Sequence, residues 1–205
     1  MSLYWLDIAK RIQALAQSGL AYSENPYDIE RYEVLRDLSI EIMAKYTDLD
    51  MTKVKDLFAN ETGYQTPKVD IRAVVFRDDK ILMVKERIDG CWSMPGGWAD
   101  IGLTPSEVAV KEVREEAGLE VKPIKLLAVF DKKCHPHPPS PYHVYKTFIQ
   151  CKITGGEMTT GMETSEVRFF GIDELPQLSV ERNTESQVRT MFEFLDTPEK
   201  TTLFD

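Results

Sequence analysis

The sequence predicts an α/β protein: a mixed α/β sandwich preceded by a small, all-helical N-terminal domain. Three observations carry this. Residues 1–66 place their apolar residues at helical spacing only. From residue 69 the period switches to runs of β-branched and aromatic residues. Those runs are interrupted by one helical pattern and followed by another, the order of a mixed sandwich. At 205 residues the chain is long enough for one core and a small appendage.

In the first helix, Leu3, Leu6, Ile12, Leu15 and Leu20 recur at roughly helical spacing. Pro26 marks a break before a second helix carrying Ile29, Tyr32, Leu35 and Leu38. A third, shorter helix is expected from near Asp50 to before Gly63. The stretch 63-GYQTPK-68 reads as a linker, with Gly and Pro but no period, and divides the chain into domains 1–66 and 67–205. Next, 69-VDIRAVVF-76, the turn 77-RDDK-80 and 81-ILMVKE-86 read as a hairpin. Later strands are expected at 124–131, 142–153 and 166–171. The internal helix is delimited by its own chemistry. Thr104-Pro105-Ser106-Glu107 is a capping box with proline at the first helical position, and Gly118 is a natural left-handed terminator, so the helix runs from Pro105 to Ala117. Ala109, Val113 and Ala117 form its buried stripe. A last helix begins near Asn183 or Thr184, with Val188, Met191, Phe192 and Leu195 on its apolar face.

Composition excludes several classes. With 42% hydrophobic and 29% charged residues the chain is typical of a soluble globular protein, and no apolar run reaches the length of a membrane span. Asp7 and Lys10 interrupt the apolar N-terminus, which is therefore not read as a signal peptide. Three irregularly spaced cysteines, Cys91, Cys134 and Cys151, favour a reducing cytoplasm over a disulfide framework. The net charge of −9 argues against broad attraction to nucleic acid or anionic membrane. The N-terminal 66 residues hold seven Lys and Arg against eleven Asp and Glu, which is wrong for a DNA-binding domain. An anionic substrate would need a positive charge supplied locally, which points to a bound cation.

Glu112, Glu115 and Glu116 fall at i, i+3 and i+4 on the internal helix, so all three carboxylates share one face. A solvated face is the ordinary reading of such a cluster. Two features oppose it: the repulsion of a Glu112/Glu116 pair with no basic residue expected to offset it fully, and the preceding 95-PGG-97, a backbone able to approach a ligand closely. Carboxylates and a carbonyl suit a hard cation such as Mg²⁺, which takes the rest of its shell from water and substrate phosphates.

The stretch 95-PGGWADIGLTPSEVAVKEVREEAGL-119 resembles the Nudix box, G-x5-E-x7-R-E-U-x-E-E-x-G-U, where U is a bulky aliphatic residue. Gly97, Glu112, Val113, Glu115, Glu116, Gly118 and Leu119 stand at the box positions, while Leu103 replaces its first glutamate and Lys111 its arginine. Glu107, four residues before Lys111, is expected to replace the missing acid. The resemblance implies an α/β/α Nudix sandwich with a mixed sheet over about residues 68–195, and a strand followed by a short helix in 163-ETSEVRFFGIDELP-176. It implies hydrolysis of the diphosphate bridge in a nucleoside diphosphate linked to a group X, giving a nucleoside monophosphate and X-phosphate. Mg²⁺ or Mn²⁺ would be held by Glu112, Glu115, Glu116 and the Gly96 carbonyl, with Glu112, Glu115 or Glu163 as base; Glu166 is a second acid outside the box, or an ordinary strand-edge charge. Residues 1–66 resemble the extension of a bacterial branch that includes ADP-ribose and CDP-choline pyrophosphatases, and imply a homodimer or a shaped substrate cleft. Hydrolysis of triphosphate ends of nucleotides or RNA, and a silent nucleotide sensor, are the alternatives.

The run 134-CHPHPPSPYH-143 holds all three histidines, but lacks a second ligand pair at zinc spacing and reads as a stiff loop between strands near the active-site mouth. Arg72, Phe130, Tyr142 and Tyr145 are candidates for substrate contact, the aromatic residues by stacking on a base or facing a quaternary ammonium. Ordinary strand packing is the competing reading, most of all for Phe130.

Overall fold

The structure, a computed structural model, describes residues 4–46 and 63–205. Contacts divide the chain into two compact units, one of Met1–Pro67 with Pro139–His143, the other of Lys68–Pro138 with Val144–Asp205.

In the first unit, α1 (Tyr4–Tyr22) and α2 (Pro26–Lys45) pack together. The Asn25 side chain caps α2 by accepting from the Tyr27 N–H at 2.9 Å, and Pro26 sits where its missing N–H costs nothing. The buried seam is made of Ala9, Gln13, Ala16 and Gln17 facing Ser39, Ile40 and Met43. Ser39 Oγ donates to Gln13 Oε1 at 3.0 Å, and Gln13 Nε2 donates to Gln17 Oε1 at 3.3 Å. This corrects the expected apolar faces: Leu15 is 68% exposed, and Leu35 and Leu38 are also exposed. The helices approach so closely that a Cβ on Gly19 would stand 2.3 Å from the Tyr32 ring. At that crossing only glycine fits beside the Tyr32 ring, while Leu6 packs with Trp5 and Ile42 against the buried Ala9, Ile40 and Met43. Leu3 and the helix expected at 50–63 lie outside the described residues.

The second unit is built on one mixed sheet. Its strands are β1 (Lys68–Arg77), β2 (Lys80–Glu86), β3 (Trp92–Ser93), β4 (Gly96–Trp98), β5 (Leu119–Asp131), β6 (Val144–Gly156), β7 (Thr164–Phe170) and β8 (Leu203–Phe204). The order is β3-β2-β1-β6-β5-β8, with β4 also pairing β1 and β7 pairing β2. The β1/β6 and β5/β8 pairs are parallel, and the other pairs are antiparallel. The β1–β2 turn places Asp78 and Asp79 at φ 51° and 56°, left-handed values that a two-residue hairpin demands and aspartate tolerates.

Two helices complete the unit. α3 (Pro105–Ala117) has the predicted bounds, with the reciprocal Thr104/Glu107 capping box and Gly118 at φ 70°. α4 (Glu185–Asp196) carries a second capping box, Thr184 with Gln187. Alternation along the strands divides the core. Ile71, Ala73, Val75, Leu82 and Val84 pack against Val108, Ala109, Val113 and Ala117 of α3. Val74, Ile81, Met83, Leu127 and Phe148 pack against Val188, Met191 and Phe192 of α4. The sheet thus lies between two helical layers.

Some boundaries differ from expectation. β5 begins at Leu119, five residues early, crossing Pro123 at a register shift where no ladder hydrogen bond is needed from it. The 142–153 strand begins at Val144. No short helix follows β7; Gly171 and Glu174 close a turn instead, Glu174 N–H to Gly171 O at 3.1 Å. Among the described residues, no helix is long and apolar enough to cross a membrane.

These contacts set two costs of different size. Thr104→Ala removes the α3 cap and is expected to lose about 1 kcal/mol. Phe148→Ala, at a fully buried site, is expected to lose about 3–5 kcal/mol. Urea unfolding of both variants measures the order, and equal losses would contradict it.

Candidate active site

The site begins with a close approach of backbone to helix. β4 pairs antiparallel with β1, Arg72 opposite Gly96 and Ile71 opposite Gly97, which carries the two glycines beneath α3. Gly96 has φ 149°, and a Cβ there would stand 2.0 Å from the Ile71 carbonyl oxygen; a Cβ on Gly97 would press the Glu112 carboxylate at 3.3 Å. Only glycine at Gly96 lets the strand lie there. The Gly96 N–H then donates to Glu116 Oε2 at 3.0 Å.

The three glutamates meet different environments. Glu116 is 8% exposed. Burial pushes its carboxyl up to about 8; the Arg72 charge and the Gly96 N–H oppose the rise, and Glu86 and Glu112 add to it. Glu112 is half-buried and raised for the same first reason, with Lys111 opposing. Glu115 is exposed. Lys111 Nζ lies 3.7 Å from Glu112 and 3.6 Å from Glu115, so the basic residue thought absent from this face is present.

Lys111 also corrects the expected brace. Glu107 does not reach it, because its carboxylate accepts from both N–H and Oγ1 of Thr104 at 2.8 Å. Asp100 reaches it instead, at 2.9 Å, and this hydrogen bond is the main cause that raises the Lys111 ammonium. Asp100 lies in the loop after β4, three residues before the exposed Leu103. Helical i, i+4 reasoning could not find a partner that sits off the helix.

The segment after β6 fastens the far end of α3. Thr159 N–H donates to Ala117 O at 3.1 Å, and Thr164 Oγ1 donates to Glu116 O at 2.9 Å. Glu163 lies in this segment, its carbonyl taking the Arg87 N–H at 2.9 Å and its carboxylate exposed. Glu166 pairs with Lys85 at 2.9 Å and Arg168 at 2.8 Å, as a strand-edge charge does.

Behind Gly96 lies a charged cluster of which the sequence marks only Arg72. Arg72, 3% exposed, grips both oxygens of Asp70 at 2.8 Å and donates to Met94 O at 3.1 Å. Lys146 Nζ, 1% exposed, donates to Asp70 Oδ1 at 2.9 Å. Burial acts to raise the Asp70 carboxyl, but the two cations outweigh it and hold it at about 2. Asp70, Arg72 and Lys146 occupy strand positions that a hydrophobic pattern treats as noise.

The other substrate candidates have different surroundings. Arg72 directs three of its five N–H bonds to Asp70 and the Met94 carbonyl. Phe130 is buried against Phe148 and the His135 ring, ordinary packing. Tyr145 is partly exposed on β6, while Tyr142 belongs to the first unit and its carbonyl accepts from Lys10. The histidines diverge, His135 Nε2 to Asp205 at 3.1 Å and His137 Nδ1 to Val180 O at 2.7 Å. Among the described residues, no three His, Cys, Asp or Glu side chains converge tightly enough to hold a metal as they stand. The donor set nevertheless fits a hard divalent cation: it is carboxylate and backbone oxygen, and its innermost acid is buried without a counter-ion hydrogen-bonded to it.

Residues 66–192 match the NUDIX domain model, and residues 4–58 match a model described as a UDP-X-like, N-terminal oligomerisation domain. YjhB of Bacillus subtilis (strain 168), a protein named for ADP-ribose pyrophosphatase activity, is 52% identical over 98% of this chain and 97% of its own. A crystal structure of a UDP-X diphosphatase is similar with TM-score 0.64 and 32% identity, covering 98% of each chain. That of an ADP-ribose pyrophosphatase from Streptococcus suis 89-1591 is similar with TM-score 0.63 and 42% identity, over 68% of this chain and all of that one. With the domain model matched over more than half its length and the box glutamates seated on Gly96 and Gly97, the chain belongs to the Nudix hydrolase family.

Proposed function

We propose that the protein hydrolyses the diphosphate bridge of a nucleoside diphosphate linked to X, of the ADP-ribose or UDP-X kind, to a nucleoside monophosphate and X-phosphate. The observation that carries this reading is the seating of Glu116 on the Gly96 N–H, with Glu112 against Gly97. Whole-length similarity to a UDP-X diphosphatase and to YjhB supports the substrate class.

Glu112, Glu115, Glu116 and the Gly96 carbonyl would hold Mg²⁺ or Mn²⁺, which when bound neutralises the diphosphate charge and lowers the pKa of water. The chain's own residues do the rest. Gly96 N–H fixes one oxygen of Glu116, leaving the other for a ligand. Glu112, half-buried against Gly97, is the base that accepts the proton of the attacking water. Lys111, anchored by Asp100, stands between Glu112 and Glu115 and relieves their repulsion without burying either. The N-terminal helices serve dimerisation. Their exposed Leu15, Val34, Leu35 and Leu38 and the match to an oligomerisation domain support a homodimer. Free Cys91, Cys134 and Cys151 fit a reducing cytoplasm.

Glu116→Gln keeps the shape of the side chain and removes its charge. Turnover of ADP-ribose or a UDP-sugar at saturating Mg²⁺ should fall by orders of magnitude with the fold intact, and near-wild-type turnover would sink the site assignment.

A second outcome concerns pH. In metal-free protein Glu116 holds its proton up to about 8 when folded, against an ordinary value of 4.5. The folded state therefore binds the proton more tightly than the unfolded one, and this contribution to stability falls as pH rises from 4.5 to about 8. Urea unfolding with chelator should show that fall, Glu116→Gln should flatten it, and Mg²⁺ should offset it at the alkaline end. An unchanged slope in the variant would remove Glu116 as its source.

Full-length protein should be dimeric by light scattering at micromolar concentration, and deletion of residues 1–66 should yield a monomer or an aggregate. A full-length monomer overturns the role given to the helices.

A further inference from the structure

We propose that Lys146, Arg72 and Asn183 form a buried subsite for a phosphoryl group, placed immediately behind Gly96. It rests on the hydrolase reading only for the source of its ligand, a phosphate product or free phosphate.

The contacts form a ring within the second unit, closed at one point by a through-space charge interaction. Lys146 binds Asp70; Asp70 is gripped by Arg72; and Arg72 Nη1 donates to the Met94 carbonyl. The Met94 N–H donates to Asn183 Oδ1 at 2.9 Å. Asn183 closes a turn on Ser179, its N–H to Ser179 O at 2.8 Å, and the next carbonyl, of Val180, takes His137 Nδ1. His137 in turn feels the Lys146 charge.

Polar atoms within that ring are left over. Asn183 is 0% exposed, and because its Oδ1 holds the Met94 N–H its other end is the NH₂, a donor without any partner. Lys146 has three N–H bonds and Asp70 takes one. His137 Nε2 is also buried and unpartnered. Burial pulls the His137 ring down to about 4, so it is neutral, and with Nδ1 donating to Val180 its Nε2 is an acceptor. A buried donor left unmade costs about 1–3 kcal/mol, so a native protein supplies it with an acceptor.

The chemistry of that acceptor follows from the inventory. Two cations, Arg72 and Lys146, are hydrogen-bonded to one carboxylate, and Glu86, which also acts on Arg72, has its own cation in Arg182 at 2.9 Å, so the charge at Lys146 is the one left to answer. Donors predominate, and the single acceptor suits one hydroxyl. A monoprotonated phosphate, inorganic or as a monoester, offers several anionic oxygens and one O–H, and meets each requirement. A neutral carbonyl leaves the charge unanswered, and a carboxylate has no proton for His137. Arg72 stands opposite Gly96 in the β1–β4 pair, so the subsite borders the place where a diphosphate would be cut.

Calorimetric titration of the full-length protein, in chelator so that the box acids hold no cation, tests this with inorganic phosphate, UMP and ribose 5-phosphate in separate arms, and acetate as the contrast. Saturable binding is expected for phosphate or a monoester and not for acetate. The arm that binds tightest identifies the source. Lys146→Met and Asn183→Asp should each weaken it roughly tenfold or more, while Lys146→Arg retains most of it. Thermal melts establish that each variant is folded, and if Lys146→Met is not, Asn183→Asp decides. Equal binding by wild type and the folded variants overturns the subsite. So does the absence of saturable binding in every arm, in which case Asn183 holds a structural water only. Phosphate binding with the expected variant losses but no hydrolysis of any nucleoside diphosphate-X compound supports the subsite and sinks the hydrolase reading.

Discussion

The placement of Glu116 on the Gly96 N–H joins the glycine strand to the end of α3, on top of the β1–β4 pairing and the apolar core that already bring them together. The hydrogen bond needs β4 to lie against β1 closely enough that Gly96 can carry no side chain, and needs α3 to end where Gly118 turns the chain away. The capping box at Thr104 and the Thr164–Glu116 contact hold the two ends of the helix. A helix fixed at both ends presents its acids to the glycine strand at one height. Precision at the site is thus inherited from backbone geometry, which is stiffer than side-chain contacts between surface groups.

Charge in this region is graded by depth. Glu115 is in water, Glu112 is halfway in, and Glu116 is inside, where its ionised form is penalised by burial. Deeper still, Asp70 is ionised because Arg72 and Lys146 surround it. The same burial therefore keeps one carboxyl protonated near neutral pH and another charged, the difference being the number of cations in contact with it. The gradient thus sets a buried, protonated acid next to a cluster in which cations outnumber the carboxylate they touch.

The N-terminal helices follow another logic. Their mutual seam sets Ala9, Gln13, Ala16 and Gln17 against Ser39, Ile40 and Met43, while Leu15, Leu35 and Leu38 point outward. A seam joined by amide hydrogen bonds favours one register over others, and the outward leucines remain available for a further surface.

Much of this protein is legible in the sequence. The bounds of α3, the hairpin of β1 and β2, the start of α4 and the face shared by Glu112, Glu115 and Glu116 all follow from local signals: caps, a terminating glycine and periods of two or 3.6. What is not legible is pairing across distance. β3, β4 and β8 are two or three residues long and too short to show a period, yet β4 carries Gly96 to Glu116. Lys111 finds Asp100 rather than Glu107 because Thr104 already holds Glu107. Leu15, Leu35 and Leu38 have helical spacing but face outward, since spacing gives a face and not its partner. Asp70, Arg72 and Lys146 come together only when β1 and β6 align in parallel, with Asp70 opposite Lys146. The sequence by itself determined the two capped helices of the second unit, the longer strands and which acids share a face, because those depend on neighbours a few residues away. Tertiary structure alone decided which charges are buried and what they touch, because desolvation and Coulomb attraction act through space and carry no trace in the local period.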